Sequence, residues 1–261
     1  MKKTTLMVIL AIFVLALSIT ACDDFFSSGW GSPREYQAEN INVTIHNLDR
    51  WLERTVGNPP LARLVSENIS KQVADPNHPY RGIFQRAGIR IAVESSGLGT
   101  SLLSNAFNVL SDIADADDDQ IEQKLKNVLS KVQDDFRSSG GVAAATNIAT
   151  IAVDDITLSN GAPTFPSGTF VHETTPSEVA KAILVLTLAV VEENGMNVND
   201  WNNFALDQIG LESNAAGIVV VDENSSATFH VLAAYLNLIA ADNKFEGNFL
   251  TGAIRDAFLG N

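Results

Sequence analysis

The acidic run at residues 115–122 is the first candidate for metal chemistry in this sequence. Asp115, Asp117 and Asp119 have the spacing of the first three ligands in an EF-hand calcium loop. That loop also needs glycine at its sixth position and glutamate at its twelfth, where this chain has Gln120 and Lys126. Acids in the first turn of a helix are favoured by the helix dipole, which explains the run without a metal. We therefore predict no metal site here.

The remaining residue types that carry catalysis are not arranged for it. No two histidines share a helix face at ligand spacing, and serine-nucleophile, zinc-helix and phosphate-loop motifs do not occur. The histidines are His46, His78, His172 and His230. Two acidic pairs, 154–155 and 192–193, have neighbouring side chains, which point about 100° apart on a helix and so form no ready-made dyad. We predict no catalytic residues, no cofactor and no enzymatic activity, with an envelope hydrolase or lyase as an alternative.

The segment at residues 159–175, SNGAPTFPSGTFVHETT, is the candidate ligand loop. It is predicted to be a long connection between two strongly apolar helices, and ordered loops of that length are often functional. Phe165, Phe170, His172 and Glu173 would supply aromatic faces and polar groups at the mouth of a helical bundle. The alternative is that this segment is a connector whose phenylalanines fill gaps in the core.

The beginning of the chain is typical of a secretion signal. Lys2 and Lys3 precede an unbroken apolar run at residues 6–17, and small residues lead to Cys22. The alternative, an uncleaved membrane anchor, would need roughly 20 apolar residues, and this run is shorter. Cys22 is the one cysteine of the chain, which excludes an internal disulfide.

Residues 19–22, Ile-Thr-Ala-Cys, resemble the lipobox of bacterial lipoproteins. The resemblance implies cleavage before Cys22, a diacylglycerol on its thiol and acylation of the new amino terminus. The implied organisation is a signal peptide at 1–21, a flexible lipidated tether at 22–42 and a domain at 43–261. Membrane lipid is then a partner through Cys22, and the protein faces the periplasm or the cell exterior. Whether it sits on the cell membrane or the outer membrane stays open.

The charge balance excludes one class of partner. The chain has 17 basic and 31 acidic residues and a net charge of −14, which repels phosphate backbones. We predict that it does not bind nucleic acid.

The elements that would position these residues are predicted to be helices. Apolar residues recur at helical spacing along most of 43–261, which predicts one all-α domain, a multi-helix bundle of about nine helices. The segments 142–156 and 179–191 are the candidates for its centre. Thr175, Pro176 and Glu178 form a capping box at the start of the second. Residues 217–221 have strand character without an evident partner.

These features favour a lipid-anchored protein with a helical binding or scaffolding domain for an envelope protein or a small ligand. The organisation also resembles that of the helical accessory lipoproteins of TRAP-type solute-uptake systems, which is the second alternative.

Overall fold

The protein is described by a computed structural model at residues 41–99, 118–196, 210–214, 217–245, 251–252 and 254–255. Cys22, the predicted signal and residues 115–117 of the acidic run lie outside these ranges, while residues 118–122 begin α4. Seven α-helices are described: α1 (Leu48–Thr55), α2 (Pro59–Val73), α3 (Arg81–Ser95), α4 (Asp118–Ser139), α5 (Gly141–Ala152), α6 (Pro176–Glu193) and α7 (Ala227–Ala241). None of the described helices has the length and apolar character required to cross a membrane.

The predicted helical domain is confirmed in outline, but two details differ. The number nine is not shown, since predicted helices near 98–113, 201–209 and 249–258 fall largely outside the described residues. The domain also contains four short strands, so it is not strictly all-α. They are β1 (Thr157–Ser159), β2 (Ala162–Thr164), β3 (Glu212–Ser213) and β4 (Val219–Val220).

The helices pack against one another through their buried apolar faces. α3 packs against α2 and α5, while α5 packs against α6 and α7. α6 is buried from Val179 to Val191 except at Lys181 and Leu184, as its all-round apolar sequence predicts. α7 is equally enclosed, so three helices rather than the predicted pair form the interior.

The ends of these helices follow local sequence rules. α2 begins with Pro59 and Pro60 in its first turn, and the Asn58 side chain accepts the Leu61 N–H at 3.2 Å. α6 ends before Gly195, whose positive φ of 64° and bond to the Glu192 carbonyl close the last turn.

One hairpin replaces part of the predicted loop, and a second hairpin lies at residues 212–220. β1 pairs with β2 across Asn160 and Gly161, both at positive φ, as a two-residue type I′ turn requires. β3 pairs with β4, so the strand predicted near 217–221 has a partner. The Val221 N–H donates to the Gly161 carbonyl at 2.8 Å and joins the two hairpins.

Ile41 and Asn42, the first described residues, pack against the helices. Ile41 is buried, and its carbonyl accepts a hydrogen bond from the Asn68 amide at 2.9 Å. The Asn42 carbonyl accepts the Trp51 indole N–H at 3.3 Å. The first described residues are thus fastened to α1 and α2.

Candidate functional site

The two phenylalanines of the predicted ligand loop lie in the core. Phe165 follows β2, and Phe170 begins a 3-10 helix (Phe170–Glu173) that leads into α6. Their side chains are 7% and 5% exposed, and their ring centroids are 6.3 Å apart. Phe165 also lies 5.1 Å from the ring of Tyr235 on α7. Both residues therefore fill the junction between the 3-10 helix and α7.

His172 and Glu173 contact different partners. The His172 Nδ1 lies 3.5 Å from Asp242 Oδ2, while its Nε2 is buried without a hydrogen-bond partner in the described part of the chain. Glu173 forms a 2.8 Å ion pair with Arg86 on α3 and is mostly exposed. The structure thus brings the two phenylalanines together and separates the two polar residues.

Lys244 holds the end of the 3-10 helix and the residue that follows it by two hydrogen bonds. Its Nζ donates to the carbonyls of His172 at 2.8 Å and of Thr174 at 2.6 Å. These carbonyls end the 3-10 helix and have no intrahelical donor, so the lysine satisfies them. The predicted loop is a fixed connector that sets the position of the α6 start.

A cleft lies between α3 and the first turns of α6. It encloses about 210 Å³ and is lined by residues of these two helices and the preceding cap: Arg90, Val93, Glu94, Thr175, Ser177, Glu178 and Lys181. Arg90 and Glu94 lie one turn apart on α3, and Ser177 and Lys181 lie one turn apart on α6. Two basic and two acidic side chains therefore meet at one concave surface.

The capping box fixes one wall of this cleft. The Glu178 Oε2 accepts the Thr175 N–H at 3.0 Å and the Thr175 hydroxyl at 2.8 Å. The Thr175 Oγ1 in turn accepts the Glu178 N–H at 3.3 Å. This reciprocal arrangement is the predicted capping box, and it holds the Glu178 carboxylate at the helix start.

Lys181 and Ser177 are uncommitted in the cleft. Neither side chain has a hydrogen bond or ion pair with any residue that the structure describes, and Lys181 is half-buried. The other Glu178 oxygen, Oε1, accepts no hydrogen bond within the same ranges. Within the described ranges, two donors and one carboxylate oxygen of the cleft therefore have no protein partner.

The Glu178 carboxylate also influences a buried tyrosine, Tyr235. Burial raises the pKa of Tyr235 far above its usual range, and the nearby Glu178 carboxylate raises it further. The Tyr235 hydroxyl is buried and has no hydrogen-bond partner among the described residues. It is a neutral phenol at physiological pH.

The two acidic doublets serve structural contacts. Asp155 accepts hydrogen bonds from Arg81 at 2.6 Å and from Gln85 at 2.8 Å. Glu192 holds Arg137 through two bonds of 2.8 Å, and this contact raises the pKa of the arginine. In the described ranges, no group of three or more histidine, cysteine or acidic side chains is arranged to hold a metal ion.

The sequence analysis identified the α6 cap but not the cleft. The available signal was Lys181, the single basic residue of α6, within its predominantly apolar middle section. A charged side chain at that position must leave the core by a groove, because burying an unpaired charge is costly.

No family model matches the chain, and neither a curated protein nor a solved structure is significantly similar to it.

Proposed function

We propose that this protein is a lipid-anchored component of the bacterial cell envelope whose helical domain binds a ligand or partner beside the membrane. The observation that carries the proposal is Cys22, the single cysteine of the chain, at the end of a signal-like segment that resembles a lipobox. A thiol at that position is the attachment point for lipid in bacterial lipoproteins.

Lipid on Cys22 would be sufficient to hold the domain at a bilayer. Each buried methylene contributes about 0.8 kcal/mol, and two or more long chains give stable anchoring where one does not. The residues between Cys22 and Ile41 can span at most about 70 Å, so the domain would work close to the membrane surface.

The binding role is supported by the cleft between α3 and α6. Its uncommitted Lys181 and Ser177 are groups that a ligand can satisfy, and the connector at 165–174 holds the wall that carries them. The accessory-lipoprotein and hydrolase alternatives have no comparable observation in their favour.

The anchoring is tested by replacing Cys22 with serine in the full chain. Wild-type protein from cells grown with labelled palmitate is expected to carry the label and to enter the detergent phase in a phase-separation assay. Cys22→Ser should remain an uncleaved, unlabelled precursor, since serine offers no thiol for the diacylglycerol. Ser28→Ala, outside the lipobox, is the matched control and should be labelled like wild type. Normal labelling and processing of Cys22→Ser would overturn the proposal.

A further inference from the structure

The cleft between α3 and α6 has the size and charge of a site for a small zwitterion. We infer that it binds a molecule of the α-amino-acid class, with the ligand carboxylate at Lys181 and Ser177 and its ammonium at Glu178. This inference rests on the proposed binding role and names the chemistry of the ligand.

The volume of the cleft suits a small molecule. About 210 Å³ is the space of roughly seven water molecules in the liquid. Pockets for drug-sized ligands start at about 300 Å³. A free amino acid with a short side chain fits this space.

The uncommitted donors define the anionic end of the ligand. Lys181 is half-buried and makes no hydrogen bond or ion pair with any described residue. The Ser177 side chain lies one turn away on the same helix face and is equally uncommitted. A carboxylate between them would accept from an ammonium and a hydroxyl, and hydrogen bonds to charged groups are the stronger kind.

The uncommitted acceptor defines the cationic end. Glu178 uses Oε2 for the capping box, while Oε1 accepts no hydrogen bond from the described residues. Ser177, Glu178 and Lys181 all line the cleft and lie within the first two turns of α6, so the acceptor and the two donors face the same small space. A molecule that carries both charges on neighbouring atoms, as an α-amino acid does, suits this arrangement.

The opposite wall favours an apolar ligand side chain. Val93 on α3 lines the cleft between Arg90 and Glu94. These two charged residues already have partners, so they shape the wall and do not provide the main ligand contacts. A short aliphatic side chain directed at Val93 would lose little hydration and gain apolar contact.

The test uses three probes that differ by one charged group. The protein, expressed from the full chain and purified in detergent micelles, is titrated calorimetrically with L-alanine, with propionate, which lacks the ammonium, and with ethylammonium, which lacks the carboxylate. L-alanine is expected to bind, and each single-charge probe at least about tenfold more weakly, because one charged hydrogen bond is lost.

Two variants separate the two ends. Lys181→Met should weaken L-alanine binding at least about tenfold, whereas Lys71→Met, at an exposed position on α2, should not change it. Glu178→Gln removes the carboxylate charge, while glutamine can still form a capping box at this position. A similar loss of L-alanine affinity in this variant would therefore be caused by the missing charge and not by a damaged helix start. Circular dichroism of each variant checks that the helices are retained.

Three results would overturn the inference. The first is propionate binding as tightly as L-alanine, which would indicate a simple anion site. The second is wild-type affinity in Lys181→Met, and the third is the absence of binding by all three probes at millimolar concentration. Acyl labelling at Cys22 is measured in a separate experiment. If the cleft binds no amino acid, the anchoring proposal therefore still stands or falls on the labelling result alone.

Discussion

Asn237 on α7 is the residue whose replacement should most clearly expose how the hairpins are held. Its side chain is 6% exposed and satisfies three backbone groups. The Oδ1 accepts the Val219 N–H at 2.8 Å, and the Nδ2 donates to the carbonyls of Val219 and Pro163 at 2.9 Å each. One amide therefore joins α7 to β4 and β2.

The expected cost of Asn237→Leu follows from these three groups. Leucine is of similar size but offers neither donor nor acceptor, so two carbonyls and one N–H lose their partner. Leaving a buried polar group unsatisfied costs about 1–3 kcal/mol. Allowing for relaxation that admits water to the hairpins, we expect a loss of about 3–6 kcal/mol. That is a large part of the 5–15 kcal/mol typical of a domain.

Urea denaturation monitored by circular dichroism measures the loss in the free energy of global unfolding. Hydrogen exchange of the Val219 amide measures the local loss of stability at β4. Asn77→Leu, at an exposed turn position, is the matched control and should change the free energy of unfolding by less than about 0.5 kcal/mol. A loss below about 1 kcal/mol for Asn237→Leu, with the Val219 amide still protected, would refute the reasoning.

Two further predictions concern the core. In Gly88→Ala the new Cβ would lie 2.7 Å from Ile151 Cδ1 and 2.8 Å from Ile69 Cγ2. Overpacking of about 1–3 kcal/mol should therefore outweigh the helix-propensity gain of about 1 kcal/mol. Ile151→Val removes the Cδ1 contact and should reduce that cost in a double-mutant cycle by thermal denaturation; strict additivity would contradict this. Tyr235→Phe removes an unpartnered buried hydroxyl and should leave stability unchanged or raise it by up to about 2 kcal/mol. Because burial raises the folded-state pKa of Tyr235 above the unfolded value near 10, ionisation of this tyrosine costs no stability below that pH, and the folded state loses stability as the pH rises above it. Alkaline unfolding should therefore move to higher pH in Tyr235→Phe, and an unmoved alkaline midpoint would contradict it.

The candidate site was only partly predictable. The sequence singled out Phe165, Phe170, His172 and Glu173 because their types are suited to binding, yet type does not reveal direction. Both phenylalanines fill the core, and Glu173 is exposed beside Arg86. The lysine that lines the cleft was not singled out, since its significance depends on a second helix.

The sequence by itself determined the features that arise within a few residues of chain. The capping box at Thr175, the proline start of α2 and the stop at Gly195 depend on local hydrogen bonds and fixed dihedral angles. The all-round apolar sequence that places most of α6 in the interior is likewise a local property, and this prediction and that of the capping box were confirmed.

The tertiary structure alone decided the hairpins, the enclosure of α7 and the cleft. The strands have two or three residues each, too few for a periodic signal, although Asn160–Gly161 marked the first turn. Asn237 stabilises them from 74 residues beyond Pro163, and the cleft requires α3 and α6 to meet across a long stretch of chain. Such contacts depend on which faces pack together, a choice made by the free energy of the whole core rather than by any local segment.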